Sequence, residues 1–178
     1  MVSRIYFWPK CIRAPALQEL FLAFMDDILG KLSEIIMSLI HRSNCKLMRL
    51  TLAELAYGHT EILQHTPEVV HLSLSEAPEK TIGVLTSLSH GTILTGLQSL
   101  EVGLRSSYDG TPEIFERLSS LALIRNGQCA SEGKDDRAVG RLHSLGIVVR
   151  SAKSLPPQWE KLRALCEELG IQLRFHSV

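Results

Sequence analysis

One short motif recurs along the chain and restricts its fold more than any other feature of the sequence. Each copy has an apolar residue, two variable residues, a leucine, one variable residue and a second apolar residue, and the copies begin at Leu17, Leu47, Val69, Leu97, Leu118 and Leu142. A shorter alternation of apolar residues, Ile171, Leu173 and Phe175, follows them. The central residues, at positions 20, 50, 72, 100, 121, 145 and 173, are therefore 21 to 30 residues apart.

The spacing inside each copy predicts a short β-strand with one buried face. Side chains two residues apart in a strand point to the same side, so the last two apolar residues of the motif share a face. A single strand cannot bury that face, whereas parallel strands stacked in chain order bury it continuously. Repeats of about 20 to 29 residues with this pattern are typical of leucine-rich repeats.

The sequence therefore predicts an α/β fold, a leucine-rich repeat solenoid with short parallel strands on its concave side and helices and loops on its convex side. We expect residues 14–178 to form this domain from about six to seven irregular repeats. Residues 1–13 are expected to be a remnant of a preceding repeat or an N-terminal extension.

The segments between the motifs carry apolar residues at helical spacing. This pattern predicts helices over residues 26–42, 57–65 and 79–89, a turn or two from 111 to 115, and a last helix from about residue 157 that ends at Gly170. Residues 126–137 are polar and glycine-rich, which predicts an exposed loop. Only Asn126 stands where many leucine-rich repeats carry an asparagine that satisfies backbone groups of the turn.

A doubly wound α/β domain is the main alternative, because it also alternates helices with apolar strands. The strands of such a domain are covered on both faces and read as nearly continuous apolar runs. Here the strands share one Leu-x-Leu pattern and keep polar or small residues at the alternate positions, as in Leu72, Ser73 and Leu74. This alternation favours a sheet with one open face.

Composition and charge exclude several classes of partner. The 19 basic residues balance the 19 acidic ones, so the chain lacks the basic excess by which nucleic-acid binders neutralise phosphates and membrane-surface proteins bind anionic lipids. No apolar run approaches the about 18 residues of a membrane span. Cys11, Cys45, Cys129 and Cys166 are widely separated, which favours a reduced compartment, cytoplasmic or nuclear.

Motifs of catalysis and of metal binding are missing from the sequence. It contains no G-x-S-x-G nucleophile elbow and no glycine-rich phosphate loop. Ser89 and His90 are adjacent, but no acidic residue can be assigned to orient the histidine. His41 and Cys45 are four residues apart without the second pair that a zinc site requires. The sequence therefore predicts a protein that is not an enzyme and that uses no cofactor and no metal.

The variable positions of the motif would point away from the core and form the concave face, the usual binding surface of a solenoid. The first row of these positions contains Glu19, Arg49, His71, Ser99, Ser120 and Ser144. The middle row contains Phe21, Thr51, Ser73, Glu101, Ala122 and Gly146, and Arg174 extends it. We expect the aromatic and charged members to contact a protein partner, namely Phe21, Arg49, His71, Glu101 and Arg174.

Four phrases of the sequence together resemble the C-terminal leucine-rich repeat region of basidiomycete fungal F-box proteins. They are APALQELFL from Ala14, HRSNCKLMRLTLAEL from His41, ILQHTPEVVHLSLSE from Ile62 and LRALCEELGIQLRF from Leu162. In that family an N-terminal F-box docks on the Skp1 adaptor of an SCF ubiquitin ligase, and the repeats recruit the substrate. The resemblance thus implies a protein-interaction scaffold that serves in substrate recognition.

The stretch before Ala14 lacks the Leu-Pro-x-Glu-like opening of an F-box. Skp1 is therefore expected as a partner only if an F-box is encoded elsewhere in the gene. Two other interpretations of the chain stay open at this point: a truncated remnant without activity, and a small doubly wound α/β enzyme.

Overall fold

The computed structural model describes residues 14–23, 32–54, 59–75, 77–91, 93–105, 111–127, 140–150 and 157–177. Strands and helices alternate along these residues: β1 (Glu19–Ala23), α1 (Leu32–Ser43), β2 (Arg49–Ala53), α2 (His59–Gln64), β3 (His71–Ser75), α3 (Pro78–Ser89), β4 (Ser99–Arg105), α4 (Thr111–Ala122), β5 (Ser144–Arg150), α5 (Gln158–Glu168) and β6 (Gln172–Ser177). A π-helix, Leu123–Gly127, continues α4. The predicted remnant at residues 1–13 and most of the predicted loop at 126–137 lie outside the described residues.

The strands form one parallel sheet of six strands, in which the spatial order β1-β2-β3-β4-β5-β6 follows the order along the chain. This confirms the predicted α/β class. The register places the central residues of the motifs opposite one another, in a row made of Leu20, Leu50, Leu72, Leu100, Leu145 and Leu173. The motif therefore fixes both the position of these strands and their mutual alignment.

The same arrangement of backbone hydrogen bonds recurs at the start of successive strands: one carbonyl accepts two N–H groups. The carbonyl oxygen of Gln18 accepts hydrogen bonds from the backbone N–H groups of Met48 and Arg49, at 2.8 and 2.9 Å. The carbonyls of Met48, Val70 and Gln98 each accept two N–H groups of the following strand in the same way. These hydrogen bonds satisfy the carbonyl groups and connect the start of each strand to the next strand in the same way.

The core lies on one side of the sheet. Leu52, Leu74 and Val102 are completely buried, and they belong to one apolar cluster with helix residues such as Leu85 and Leu162. Consecutive helices also pack against one another, from α1 through α5. The opposite side of the sheet carries half-buried or exposed residues at most of its positions. The described helices thus cover the leucine face alone.

The helices agree with the predicted segments in position, and differ in their ends. The described part of the first helix begins at Leu32, and α2 and α3 occupy His59–Gln64 and Pro78–Ser89. The last helix ends just before Gly170, which adopts a positive φ of 68°, the backbone conformation that favours glycine after a helix. The fourth helix is longer than predicted, because it continues to Ala122.

The prediction of a strand at Leu118–Leu123 is wrong. These residues form the end of α4 and the start of the π-helix, because Ile114, Leu118 and Leu121 also lie at helical spacing and are all buried. Ser120 and Ala122 therefore do not belong to the outer rows of the sheet: Ser120 is exposed on the helix and Ala122 is buried. The strand that follows β4 is β5, and the central leucines of these two strands, Leu100 and Leu145, are neighbours in the sheet.

Candidate protein-binding face

The side of the sheet opposite the helices is called here the outer face. Its first row consists of Glu19, Arg49, His71, Ser99, Ser144 and Gln172, and its middle row of Phe21, Thr51, Ser73, Glu101, Gly146 and Arg174. All of the predicted contact residues lie on this face. The strand alternation places them there, since each precedes or follows an inward-pointing leucine.

Glu19, Arg49 and His71 lie side by side on β1, β2 and β3. The Arg49 guanidinium forms an ion pair with the Glu19 carboxylate at 3.4 Å, and both side chains remain more than half exposed, at 60% and 70%. Burial lowers the pKa of the His71 imidazole below its ordinary value of 6.5, the Arg49 charge lowers this pKa further, and Glu19 acts in the opposite direction. This end of the first row therefore carries one compensated ion pair beside an imidazole that favours its neutral form.

Glu101 and Gly146 form a second feature, in the middle row. The Ser73 hydroxyl donates a hydrogen bond to Glu101 Oε1 at 3.0 Å, which holds the carboxylate on the outer face. On the other side the Glu101 side chain leans over Gly146, where an ideal Cβ would lie 3.1 Å from Glu101 Cγ. Because Gly146 has no side chain, the Glu101 side chain can lie over the β5 backbone, and Gly146 is buried beneath it.

The predicted contact residues divide into separate groups rather than forming one cluster. Arg49 and His71 are neighbours in the first row, whereas Phe21, Glu101 and Arg174 share the middle row on β1, β4 and β6. Phe21 is 66% exposed, the largest exposure among the large apolar residues in the described part of the chain. Arg174 donates a hydrogen bond to Gln172 Oε1 at 2.9 Å within its own strand.

Two polar contacts of this face were not expected from the sequence. Ser144 donates a hydrogen bond to Ser99 Oγ at 2.8 Å across β4 and β5, and Ser73 positions Glu101. Serines at outer positions of neighbouring strands are the only signal that could have indicated these pairs, since cross-strand hydroxyl groups often bond to one another. These contacts leave few hydroxyl groups of the two rows without a partner inside the chain.

Behind the sheet, Arg125 and Asn126 of the π-helix attach it to two turns. The Arg125 guanidinium is 1% exposed and donates to the carbonyl oxygens of Leu94 and Ile93, at 3.1 and 3.4 Å, while desolvation lowers its pKa. Asn126 accepts the backbone N–H of Leu142 at 3.0 Å and donates to the Leu142 carbonyl at 2.9 Å. Asn126 thus satisfies backbone groups from a π-helix, whereas its match to the asparagine position of leucine-rich repeats assumed a strand at Leu118–Leu123, which the structure does not contain.

Chemically reactive groups are scarce among the described residues. Within the ranges given above, no group of three His, Cys, Asp or Glu side chains is close enough to hold a metal ion. Cys45 donates weakly to the Ile40 carbonyl at 4.0 Å. Burial raises the pKa of the Cys166 thiol to about 11, so this thiol stays protonated and is a poor nucleophile.

On the helix side, an open groove of about 480 Å³ lies between α4 and α5, beside Phe115, Ser119, Gln158 and Leu165.

None of the described helices has the length and apolar character needed to cross a membrane. Comparison with known proteins adds no relative: no family model matches the chain, and no curated protein and no solved structure matches it significantly.

Proposed function

We propose that this chain is a leucine-rich repeat module whose outer face binds a protein partner. The observation that carries the proposal is the division of the sheet into two unlike faces. One face is buried by helices, as at Leu52 and Leu74, and the other carries aligned rows of polar and charged side chains without a described helix over them. An open, regularly spaced sheet face is the surface by which stacked repeats bind their partners.

The strand order favours stacked repeats over a doubly wound sheet. In a doubly wound sheet the order reverses at a switch point, and helices cover both faces. Here the order β1 to β6 runs without reversal. Between successive strands the same pair of backbone hydrogen bonds recurs, accepted by the carbonyls of Gln18, Met48, Val70 and Gln98. A repeated interface of this kind is expected when each unit packs only against its neighbours.

The chemistry of the outer face favours a protein as the occupant. Its ionic side chains alternate in sign, with Glu19 and Arg49 paired and Glu101 and Arg174 on either side of Gly146. A surface without an excess of positive charge does not attract phosphate backbones. Phe21 supplies an exposed aromatic ring of the kind that anchors protein interfaces.

The resemblance to fungal F-box proteins extends the proposal to a substrate-recruiting role in a ubiquitin ligase. That extension depends on family analogy alone, and Skp1 would join the complex only through an F-box elsewhere in the gene. Recovery of Skp1 and cullin together with the chain would support this role. A partner that is recovered without them would restrict the proposal to a binding scaffold.

Two ion-pair variants test the proposal, because the chain offers a matched pair of exposed ion pairs. Arg49→Glu places a second carboxylate beside Glu19 on the outer face, and Arg117→Glu does the same beside Glu113 on α4, where the native ion pair measures 3.5 Å. Proteins captured by the tagged chain would be quantified by mass spectrometry, with Glu101→Lys as a second outer-face variant. We expect the specific partners to be lost with Arg49→Glu and Glu101→Lys and kept with Arg117→Glu. Equal capture by all three variants would contradict the proposal.

A further inference from the structure

Strand β6 is an edge strand of the sheet that the described residues form. The N–H of Gln172 donates to the His143 carbonyl at 2.9 Å, and the N–H groups of Arg49 and His71 likewise donate to the preceding strand. Outer-row residues therefore direct their backbone groups toward the preceding strand. Since successive residues of a strand alternate in direction, Leu173 and Phe175 direct their N–H and C=O groups away from β5. Among the described strands, β6 pairs with β5 alone.

On the side of the sheet that faces the helices, this edge carries a partly exposed apolar side chain, Phe175. The Phe175 ring is 38% exposed, and its centroid lies 5.2 Å from that of Trp159. Trp159 packs edge-on against Phe115 at 6.2 Å and is nearly buried. An added strand with an apolar side chain on this side would cover Phe175 as each internal strand covers the leucines of its neighbour.

The outer side of the same edge carries the positive charge of Arg174. Gln172, Arg174 and His176 are exposed on β6, and the adjacent positions of β5 are Ser144, Gly146 and Val148, which carry no charge. Arg174 donates to Gln172 Oε1 at 2.9 Å, so its charge is not neutralised within the strand. Side chains of an added strand would lie directly opposite these groups, where opposite charge is stabilising.

We propose that the edge of β6 binds an extended segment of a partner polypeptide as an added strand. The segment has apolar side chains toward Phe175 and acidic side chains beside Arg174 and His176. Backbone groups of Leu173 and Phe175 supply the hydrogen bonds, and the two rows of side chains supply the sequence preference. This site goes beyond the proposed outer-face function, because its hydrogen bonds come from the backbone edge of β6, although it shares Arg174 with the outer face.

Peptide binding to the full chain tests this proposal. The probe is a fluorescein-labelled seven-residue peptide of alternating glutamate and valine, and its control has lysine in place of glutamate. Binding is measured by anisotropy and by the emission of Trp159 in a Trp8→Phe background, which leaves Trp159 as the only tryptophan of the two in the sequence. We expect the acidic peptide to bind at least about tenfold more tightly than the lysine peptide. Arg174→Glu should reverse this preference.

Phe175→Pro separates backbone pairing from side-chain effects. Proline removes the outward N–H of Phe175 without disturbing the bonds to β5, since proline is tolerated on the open side of an edge strand. We expect Phe175→Pro to weaken binding at least about tenfold further than Phe175→Ala, which keeps the N–H. If Phe175→Pro does not fold, the peptide is changed instead. An acidic peptide N-methylated at alternate amides is compared with the unmethylated acidic peptide, and it should not bind the unaltered chain.

Three results would overturn the proposal: no binding of the acidic peptide, equal binding of the two peptides, or unchanged binding after both Phe175→Pro and peptide N-methylation. A dimer of the chain that is lost in Phe175→Pro, without any peptide binding, would assign the edge to a second copy instead. Arg49→Glu should leave peptide binding unchanged. Failure of the outer-face proposal is therefore distinguishable from failure at the edge.

Discussion

His71 shows how a single outer-row residue depends on its neighbours. Its ring is partly desolvated between strands β2 and β4, and it is influenced by the Arg49 charge on one side and, beyond Arg49, by the Glu19 carboxylate. The sequence could predict that His71 faces outward, because it directly precedes Leu72. The motif also places Glu19 and Arg49 at neighbouring positions of the first row, but it could not predict their ion pair, since that depends on the conformations of two exposed side chains.

The pKa of His71 should respond in opposite directions to two substitutions. Arg49→Gln removes the charge that lowers this pKa, so we expect the pKa to rise toward 6.5, whereas Glu19→Gln should lower it further. NMR titration of the His71 ring measures both changes. A shift in the same direction in both variants, or no shift in either, would contradict the described arrangement.

The same lowered pKa gives the sign of a stability effect. The unfolded chain binds more protons than the folded one between the lowered pKa and 6.5, so stability rises with pH in that window. The contribution of His71 is present above pH 6.5 and is lost as the pH falls through the folded-state pKa. His71→Gln should therefore make stability less dependent on pH in this window, as measured by urea unfolding at several pH values.

Two glycines should differ in their tolerance of alanine. At Gly140 an added Cβ would lie 2.9 Å from the Thr95 carbonyl oxygen, which is backbone, whereas at Gly146 the nearest atom is Glu101 Cγ at 3.1 Å. The Glu101 side chain can rotate away and the Thr95 backbone cannot. We expect Gly140→Ala to destabilise the fold by about 1–3 kcal/mol and Gly146→Ala by less than about 1 kcal/mol. Equal losses in urea unfolding would argue against this packing.

Among the helices and strands, the segment around Leu121 shows that the motif alone does not always distinguish a strand from a helix. The step from Leu118 to Leu121 fits both a leucine-rich repeat and a helix, because residues three apart lie on one face of a helix. The neighbouring residues decide between the two: Ile114 and Ala122 complete a buried helical stripe, while Leu123 is 48% exposed. Where a copy of the motif lies inside a longer helical pattern, its spacing alone is ambiguous.

Alanine substitutions at Leu121 and Leu123 distinguish the two structures of this segment. A strand would bury both side chains on one face, so both substitutions would be costly. In the helix Leu121 is fully buried and Leu123 is half exposed. We expect Leu121→Ala to cost about 2–5 kcal/mol and Leu123→Ala about 0.5 kcal/mol or less, measured by chemical denaturation. Similar costs at both positions would favour the strand.

At the scale of the whole molecule, most of the sheet was predictable from the sequence. The copies of the motif at Leu20, Leu50, Leu72, Leu100 and Leu145 correspond to β1 to β5, and the alternation at Leu173 corresponds to β6. Their common spacing determines which side chains share the buried row. The polar attachments were not predictable, because Arg125 and Asn126 bond to backbone groups of turns distant in sequence.

We propose that one face of this sheet is buried and that the other is open to a partner. Thiol labelling of adjacent residues on one strand tests it directly, with Thr51→Cys and Leu52→Cys compared in a background in which Cys11, Cys45 and Cys129 are replaced by serine. The remaining Cys166 is buried, and its pKa is raised to about 11. Leu52 is fully buried, so we expect Leu52→Cys to react at least about a hundredfold more slowly than Thr51→Cys in the folded protein. Equal protection of the two thiols would mean that both faces of the sheet are covered, and that no open outer face exists.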